Sequence, residues 1–310
     1  MARLLRSSLC RAALAAVLAL LPQAAPAAQI TDAAGRTVEL RDTDRIVSLG
    51  GDVTEILYAL GAGDRIVALD TTSIFPPAAR QKPNVGYLRA LSAEGVLALK
   101  PSLVLAAADA GPPTAVQVLE SASVPFVLVP KGESAQGVAE KIRFVARVIG
   151  AETRGEVLAA EAERSFAALR AVLAKRADKP RAMFVLSLNG GRPIVAGSET
   201  GAQAAIELAG AENPFGGMKG YKPVSDEAIV AAAPEAIVVM TRSSHMPSPE
   251  EVFALPAFAG TPAGRAKRLI VVDALSTLAF GPRAPAAIAE LARKLHPDLT
   301  IPPIGSAAAQ

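Results

Sequence analysis

The chain has 310 residues, of which 51% are hydrophobic but only 4% aromatic, with no tryptophan. Its one cysteine, Cys10, lies in a segment that we expect to be removed, which excludes disulfides and cysteine-based metal sites from the mature chain. The formal charge of +3 comes from three arginines of that same segment. The remainder balances 29 basic against 29 acidic residues, so it lacks the basic excess of nucleic-acid-binding proteins.

Residues 1–27 have the pattern of a secretory signal peptide. A basic start is followed by an apolar stretch from Ala12 to Leu21 and by a small-residue cleavage site that ends at Ala27. The apolar stretch is too short to span a bilayer. Cys10 lies before it and follows a leucine, which argues against a lipid-anchored cysteine. We therefore predict a soluble periplasmic protein without a lipid anchor.

Strand and helix patterns alternate along residues 28–133, the predicted N-terminal lobe. The strands are expected near Arg45–Leu49, Ile66–Leu69, Leu103–Ala107 and Phe126–Val129, and the helices near Val53–Leu60, Ala93–Leu99 and Ala115–Ser121. Because strands that alternate with helices are typical of parallel sheets, this lobe is predicted to be α/β.

Residues 134–178 are expected to form a helical spine. The stretches Ser134–Ile149 and Glu152–Arg176 are both helical in pattern and are separated by Gly150. The second stretch has no internal proline, which favours a stiff connector over a flexible hinge.

Residues 179–310 repeat the α/β pattern and form the predicted C-terminal lobe. Strands are expected near Arg181–Leu186, Pro193–Ala196, Ala236–Met240 and Leu269–Val272, and a closing helix near Pro285–Leu295. The predicted fold class is α/β, with two similar lobes that have mainly parallel central sheets and are joined by a long helical spine. A ligand cleft between the lobes would face the carboxyl ends of the strands.

A weak internal repeat relates the two lobes. The stretch Leu91–Leu105 matches Val224–Val238, and each reads as a short helix that stops before a proline and leads into a buried strand. A Gly-Tyr pair precedes each copy, at residues 86–87 and 220–221. Chance similarity between alanine-rich helices is the alternative explanation for any single match, but several matches in the same order favour a duplication.

No catalytic motif is recognisable, and we predict a binding protein with no catalytic residues rather than an enzyme. The pair Gly50-Gly51 follows a strand and opens a helix, which fits an anion site but fits a plain tight turn better. The histidines are His245 and His296, and we expect His296 at the surface. Too few histidines and carboxylates cluster for a zinc or manganese cage.

Tyr87 and Arg89 form the most informative pair of residues. In an extended segment, residues two apart point to the same side, so these side chains are expected to lie together. A guanidinium beside a phenol favours the phenolate, which is a good ligand for ferric iron. On spacing alone, a packed tyrosine next to a surface arginine is the alternative.

Several stretches of the chain resemble the periplasmic haem-binding proteins of bacterial haem ABC importers, which have the helical-spine (class III) solute-binding fold. These stretches are Arg45–Gly61, Asn84–Pro101, Gly111–Pro113 and Gly220–Ser225. The helical spine is shared with cobalamin- and ferric-siderophore-binding proteins, whereas the Gly-Tyr-x-Arg-Ala-Leu run at 86–91 is more specific to haem binders. The resemblance covers nearly all of the mature chain.

The resemblance implies that the cargo is ferric haem, with Tyr87 as the axial iron ligand and Arg89 as its hydrogen-bonding partner. No histidine lies between Ala28 and Ser244, which argues against a second haem held by an additional histidine. Another iron chelate or a corrinoid, that is, a ferric siderophore or cobalamin, is the alternative cargo. A haem-dependent enzyme is a further alternative, which would need an acid–base pair that the sequence does not offer.

The second lobe is expected to supply the other wall of the cleft. Tyr221 is the repeat counterpart of Tyr87 and is interpreted as a wall or propionate contact rather than a ligand. Arg242 follows a predicted strand and would pair with a haem propionate, the alternative being an ordinary exposed loop. His245 is predicted not to be an axial ligand.

Glu94 and Glu227 occupy the same position in the two repeat copies, each on a short helix that follows a serine. The family resemblance implies that such paired carboxylates dock on the two-fold symmetric permease dimer of an inner-membrane ABC transporter. Ordinary first-turn glutamates are the alternative. The expected partners are haem, this permease and an outer-membrane haem receptor upstream, with no nucleic acid, and the protein is expected to be a monomer.

Overall fold

A computed structural model describes residues 28–188, 192–241 and 248–305. The first lobe begins with an antiparallel hairpin of β1 (Ala28–Thr31) and β2 (Thr37–Leu40). Its sheet consists of β3 (Ile46–Leu49), β4 (Ile66–Leu69), β5 (Leu103–Ala107) and β6 (Phe126–Val129). These strands lie in the order β4-β3-β5-β6 and every pair is parallel, as predicted. The hairpin was not predicted.

Helices connect these parallel strands. They are α1 (Gly51–Ala59), α2 (Ala93–Leu97) and α3 (Pro113–Ser121). The Ser92 side chain accepts a hydrogen bond from the Gly95 amide and so caps α2, while Pro113 occupies the first turn of α3, where a missing amide proton costs nothing. All of them overlap the helices predicted from the sequence.

The spine consists of two helices, α4 (Ala135–Ile149) and α5 (Glu152–Leu173). Gly150 ends α4 in a left-handed conformation with φ of 69°, and α5 then folds back along α4. Arg143 of α4 binds both Glu156 and Glu163 of α5, so the helices lie side by side. At 1.5 Å per residue, the 22 residues of α5 span about 33 Å.

The second lobe has a mixed sheet. It contains β7 (Ala182–Ser187), β8 (Ile194–Ala196), β9 (Tyr221–Pro223), β10 (Ala236–Met240) and β11 (Leu269–Val272), in the order β11-β10-β7-β8-β9. The strands β7, β10 and β11 are parallel, as predicted, but β8 and β9 are antiparallel to their neighbours. Residues 188–193, which join β7 to β8, are too few for the crossover of about a dozen residues that parallel neighbours need.

The helices of this lobe include four short ones that the sequence patterns did not predict. The helices are α6 (Gly201–Leu208), α7 (Asp226–Ala232), α8 (Pro249–Phe253), α9 (Pro256–Ala259), α10 (Pro262–Arg265), α11 (Ala274–Leu278) and α12 (Ala284–Leu295). Each of α8 to α11 is a helix of five residues or fewer, too short to show a helical period. In the described ranges, no helix is long and apolar enough to cross a bilayer.

The lobes are tied together at the start of α1. The Lys141 ammonium of α4 lies 2.5 Å from the Asp52 carboxylate and donates to the Ala279 carbonyl of the second lobe at 3.0 Å. Arg283, just before α12, forms an ion pair with the buried Glu55 carboxylate. These ion pairs contribute to the contact between the lobes next to the spine.

The prediction that His296 lies at the surface is wrong. Its side chain is buried, and its Nε2 atom lies 2.9 Å from the Ala209 carbonyl oxygen. The amphipathic helix α12 packs against α5 and α6, and this packing carries the residue at its end into the core. Burial lowers the pKa of His296.

Candidate functional site

The candidate site lies at the carboxyl end of the first sheet. Residues 84–92 form a loop there, after β4, and neighbouring loops pin it by their backbones. The Thr71 amide donates to the Gly86 carbonyl at 2.9 Å, and the Gly111 amide donates to the Leu88 carbonyl at 3.0 Å. Since ligands of parallel α/β sheets bind at this edge, the loop stands where the sequence placed the cleft.

Tyr87 and Arg89 are in direct contact, as the sequence predicted. The Arg89 Nη1 atom donates a hydrogen bond to the Tyr87 hydroxyl, and the guanidinium carbon lies 5.7 Å from the centre of the tyrosine ring. The tyrosine side chain stays accessible, with 42% of the residue exposed. The site therefore offers an exposed phenol oxygen with a cationic donor beside it.

The conformation that brings the pair together is not the expected extended one. The Ala90 amide donates to the Tyr87 carbonyl at 2.8 Å, so residues 87–90 form a turn. The arginine is long enough to reach back over the turn to the phenol. The contact between Tyr87 and Arg89 was predicted correctly, but the backbone conformation was not. Hydrogen bonds between this loop and Gly111 shape the turn, and Gly111 belongs to a loop about 20 residues further along the chain.

Arg89 has a second partner that sequence patterns did not reveal. Its Nη2 atom forms an ion pair with the Asp109 carboxylate, which follows β5. Although burial would lower it, the pKa of Arg89 is raised, because the Asp109 charge and the bonds to Tyr87 and Asp109 favour the cation. The position of Asp109, just after a buried parallel strand, was the one available signal for it.

The amides at Gly50 and Gly51 are already used within the protein. The buried Asp70 carboxylate accepts from the Gly50 amide at 2.9 Å, and the Thr72 hydroxyl accepts from the Gly51 amide at 3.0 Å. The same carboxylate also accepts from Thr72 and Ser73. This confirms the tight turn and leaves no room for an external anion at these two amides.

Tyr221 lies in the second lobe. It begins β9 and is 39% exposed. Burial raises the pKa of Tyr221, while the Thr200 side chain and the Ala202 amide, at the start of α6, oppose the rise. Glu133 raises the same pKa further and Arg89 lowers it, so this phenol lies within electrostatic reach of both loops of the first lobe. Arg89, which bonds to Tyr87, is thus near enough to Tyr221 to affect its pKa.

The Gly-Tyr pairs of the repeat share an unusual backbone. Gly86 has φ of 95° and Gly220 has φ of 74°, and neither has an atom within 4 Å of the position of an added Cβ. Each glycine is therefore required for its left-handed conformation and not for lack of space. The repeat seen in the sequence corresponds to equivalent turns that lead into Tyr87 and Tyr221.

The remaining predicted residues are Arg242, His245, Glu94 and Glu227. The first two lie outside the described residues. Glu94 and Glu227 are both exposed in the first turns of α2 and α7, after helix-capping serines, so the structure places them equivalently on the two lobes. Glu94 follows Tyr87 by seven residues and Glu227 follows Tyr221 by six.

The donor set around Tyr87 does not suit a bare metal ion. Among the residues that the structure describes, no group of three or more His, Cys, Asp or Glu side chains is arranged to hold a metal. A haem iron, in contrast, already has four porphyrin nitrogens and needs one axial donor from the protein. The exposed phenol oxygen of Tyr87 is such a donor.

A surface cavity of about 570 Å³ lies elsewhere, at the amino-terminal edge of the first sheet. Its charged walls are paired with each other, because Arg36 binds Asp32 and Glu120, and Arg41 binds Glu39. It contains neither Tyr87 nor Tyr221, and the Tyr87–Arg89 pair lies at the opposite edge of the sheet.

Comparison with known proteins gives consistent matches. The model of the family described as periplasmic binding protein matches residues 46–275. The solved structure of periplasmic heme-binding protein BhuT in complex with two hemes is 40% identical, covers 81% of this chain and 97% of its own, and has a TM-score of 0.77. Periplasmic heme-binding protein RhuT from Roseiflexus sp. RS-1 is 36% identical, with coverages of 83% and 99% and a TM-score of 0.77.

Curated relatives are more distant in sequence. An uncharacterised ABC transporter substrate-binding lipoprotein, YvrC of Bacillus subtilis strain 168, is 26% identical over 87% of this chain and 85% of its own length. A vitamin B12-binding protein of Pectobacterium carotovorum is 27% identical over 63% of this chain and 70% of its own length.

Proposed function

This chain belongs to the periplasmic binding protein family, and we propose that it captures ferric haem in the cleft between its lobes and delivers it to an ABC permease. The observation that carries the proposal is the exposed Tyr87 hydroxyl, which accepts a hydrogen bond from Arg89 at the carboxyl edge of the first sheet. The similar proteins BhuT and RhuT are named heme-binding proteins, which supports the choice of cargo. The proposed activity is binding and delivery without turnover.

Tyr87 is the proposed axial ligand. As a phenolate it gives ferric iron a hard oxygen donor, and the net charge of the iron–porphyrin–phenolate unit, apart from the propionates, is zero. Arg89 remains cationic and donates to the same oxygen, which disperses its negative charge and favours the deprotonated form. One axial protein ligand gives a five-coordinate, high-spin ferric site.

Tyr221 is the proposed second wall. Its raised pKa keeps this phenol protonated at neutral pH, so it contacts the porphyrin edge or a propionate and does not ligate the iron. We also propose Arg242 as a propionate partner, and we keep His245 out of the iron coordination.

A corrinoid is the second candidate cargo, because vitamin B12-binding proteins are among the sequence relatives. A corrinoid brings its own axial ligands, so it has no use for an exposed phenol with an arginine beside it. The Tyr87–Arg89 contact therefore favours haem.

Glu94 and Glu227 are the proposed docking residues for the permease. Both are exposed, and each lies in the first turn of a short helix of one lobe, behind a capping serine. A two-fold symmetric permease has two equivalent basic sites, which suits one carboxylate on each lobe. We propose that the mature chain acts in the periplasm as a monomer without a lipid anchor, and that an outer-membrane haem receptor supplies it.

Absorption titration with haemin tests the proposed cargo. The wild type should give a saturable tyrosinate-type ferric spectrum, and Tyr87→Phe should lose most of its affinity because the iron loses its protein ligand. Arg89→Ala should bind about 10- to 100-fold more weakly, as expected for a residue that tunes a metal ligand. Tyr221→Phe is the matched control and should keep the spectrum.

The same titration with cyanocobalamin separates the two cargoes. Saturable cobalamin binding that is insensitive to Tyr87→Phe, with no haem spectrum in the wild type, would replace haem by a corrinoid.

A further inference from the structure

We infer that Asp109 is a positioning residue that holds the Arg89 guanidinium against the iron-ligating tyrosine; the inference rests on the proposed haem-binding function. Arg89 is the middle member of a chain of three side chains, with Nη1 bonded to Tyr87 and Nη2 paired with Asp109. Within the described residues, the Asp109 carboxylate bonds to the arginine, and no hydrogen bond joins it to the Tyr87 oxygen. It acts on the ligand only through Arg89.

The backbone fixes both ends of this chain of contacts. The Gly111 amide donates to the Leu88 carbonyl at 3.0 Å, and the Leu91 amide donates to the Gly111 carbonyl at 2.9 Å. The loop that carries Asp109 is therefore joined to the loop that carries Tyr87 and Arg89 on either side of the arginine. These backbone bonds keep the Asp109 carboxylate close to Arg89.

Arg89 needs such an anchor because its side chain is exposed. The side chain is 55% accessible, and an unanchored arginine on a surface samples many rotamers. The guanidinium is a rigid planar fork, so fixing one of its nitrogens aims the other. An exposed ion pair adds little to folding stability. The ion pair with Asp109 instead orients Arg89 so that its Nη1 atom points at the Tyr87 oxygen.

The negative charge of Asp109 has an effect of opposite sign. It partly cancels the Arg89 charge, and by charge alone its removal would strengthen the attraction between the arginine and a phenolate. Glu133 of the first lobe is a further charge that acts on Tyr221, whose own phenol is neutral. Positioning and charge therefore predict opposite shifts, and the sign of the shift identifies which one operates.

Two substitutions separate these effects. Asp109→Asn removes the charge but keeps a carbonyl oxygen that can accept from Arg89 Nη2, whereas Asp109→Ala removes both. Haem dissociation is measured by transfer to excess apomyoglobin, and tyrosinate ligation is followed by its absorption as the pH is lowered. The exposed carboxylate Asp64, before β4, provides the control variant Asp64→Ala.

If positioning operates, Asp109→Ala should release haem roughly 3- to 10-fold faster, as expected for the loss of one hydrogen bond, and should lose tyrosinate ligation at a higher pH than the wild type. Asp109→Asn should change both quantities less. In an Arg89→Ala background, Asp109→Ala should cause no further weakening, because the residue through which it acts is gone. Asp64→Ala should match the wild type.

Three results would overturn the inference. The first is a haem dissociation rate in Asp109→Ala equal to that of the wild type. The second is an equal weakening of haem binding by Asp109→Ala in the presence and in the absence of Arg89. The third is a loss of tyrosinate ligation at a lower pH than in the wild type in both Asp109 variants. A wild type that binds no haem, or that keeps its spectrum in Tyr87→Phe, would overturn the proposed function together with this inference. Circular dichroism of each variant confirms that it is folded, and Asp109→Asn carries the test if the alanine variant is not.

Discussion

Gly197 in the second lobe is expected to be irreplaceable. An added Cβ atom would lie 1.7 Å from the Met218 carbonyl oxygen and 3.1 Å from that of Gly220. Reaching an ordinary C···O separation of about 3.3 Å needs a backbone movement of about 1.5 Å. That movement would break the bonds from the Ser198 amide to Met218, at 2.7 Å, and from the Gly197 amide to Gly220, at 2.8 Å. We expect Gly197→Ala to cost roughly 2–4 kcal/mol in the free energy of unfolding.

The same loop supplies matched controls. Gly217→Ala meets no atom within 4 Å at a position without a left-handed φ, and should change the free energy of unfolding by less than about 0.5 kcal/mol. Gly220→Ala also meets no atom, but its φ of 74° should cost about 1–2 kcal/mol. The assay is urea unfolding followed by circular dichroism.

Haem affinity reports the functional consequence. Because Tyr221 directly follows Gly220 and pairs with β8, a displaced strand should move the second wall and weaken haem binding in Gly197→Ala. Equal urea midpoints for Gly197→Ala and Gly217→Ala would refute the argument from close approach.

The remaining predictions concern buried titratable groups and permease docking. Burial lowers the pKa of His296 below its ordinary value of 6.5, so the unfolded chain binds the proton more readily than the folded protein. Folding stability should therefore fall as the pH decreases through 6.5. His296→Gln should lack this fall in the urea midpoint. Burial raises the pKa of Glu55 above its ordinary value of 4.5, despite its bonds with Arg283. Its contribution to folding stability is therefore present below pH 4.5 and is lost as the pH rises through the raised pKa. Glu55→Gln should remove this trend in the urea midpoint. The double variant Glu94→Arg with Glu227→Arg should keep haem affinity but block haem delivery in vesicles that contain the permease, and unimpaired delivery would contradict docking.

Much of the fold was predictable because its signals are local. In the first lobe, β5 is an apolar run that follows a proline, and its observed bounds, Leu103–Ala107, are the predicted ones. The spine helices were recognisable from their length and from Gly150 between them. The antiparallel direction of β8 was missed, although the short connection after β7 carried that information, and β9 was not predicted as a strand.

The candidate site was predictable only in part. The contact between Tyr87 and Arg89 involves residues two apart, so spacing alone suggested it. The ion pair of Arg89 with Asp109 joins loops 20 residues apart, and only the parallel sheet brings them together. The burial of His296 depends likewise on how α12 packs, and a histidine next to a proline gives no sign of it.

Resonance Raman spectroscopy of the ferric haem complex tests the central claim most directly. With excitation in the tyrosinate-to-iron charge-transfer band, the wild type should show phenolate ring modes together with those of a high-spin, five-coordinate haem. These phenolate modes should be absent in Tyr87→Phe and unchanged in Tyr221→Phe. Phenolate modes that persist in Tyr87→Phe, or that vanish only in Tyr221→Phe, would contradict Tyr87 as the iron ligand.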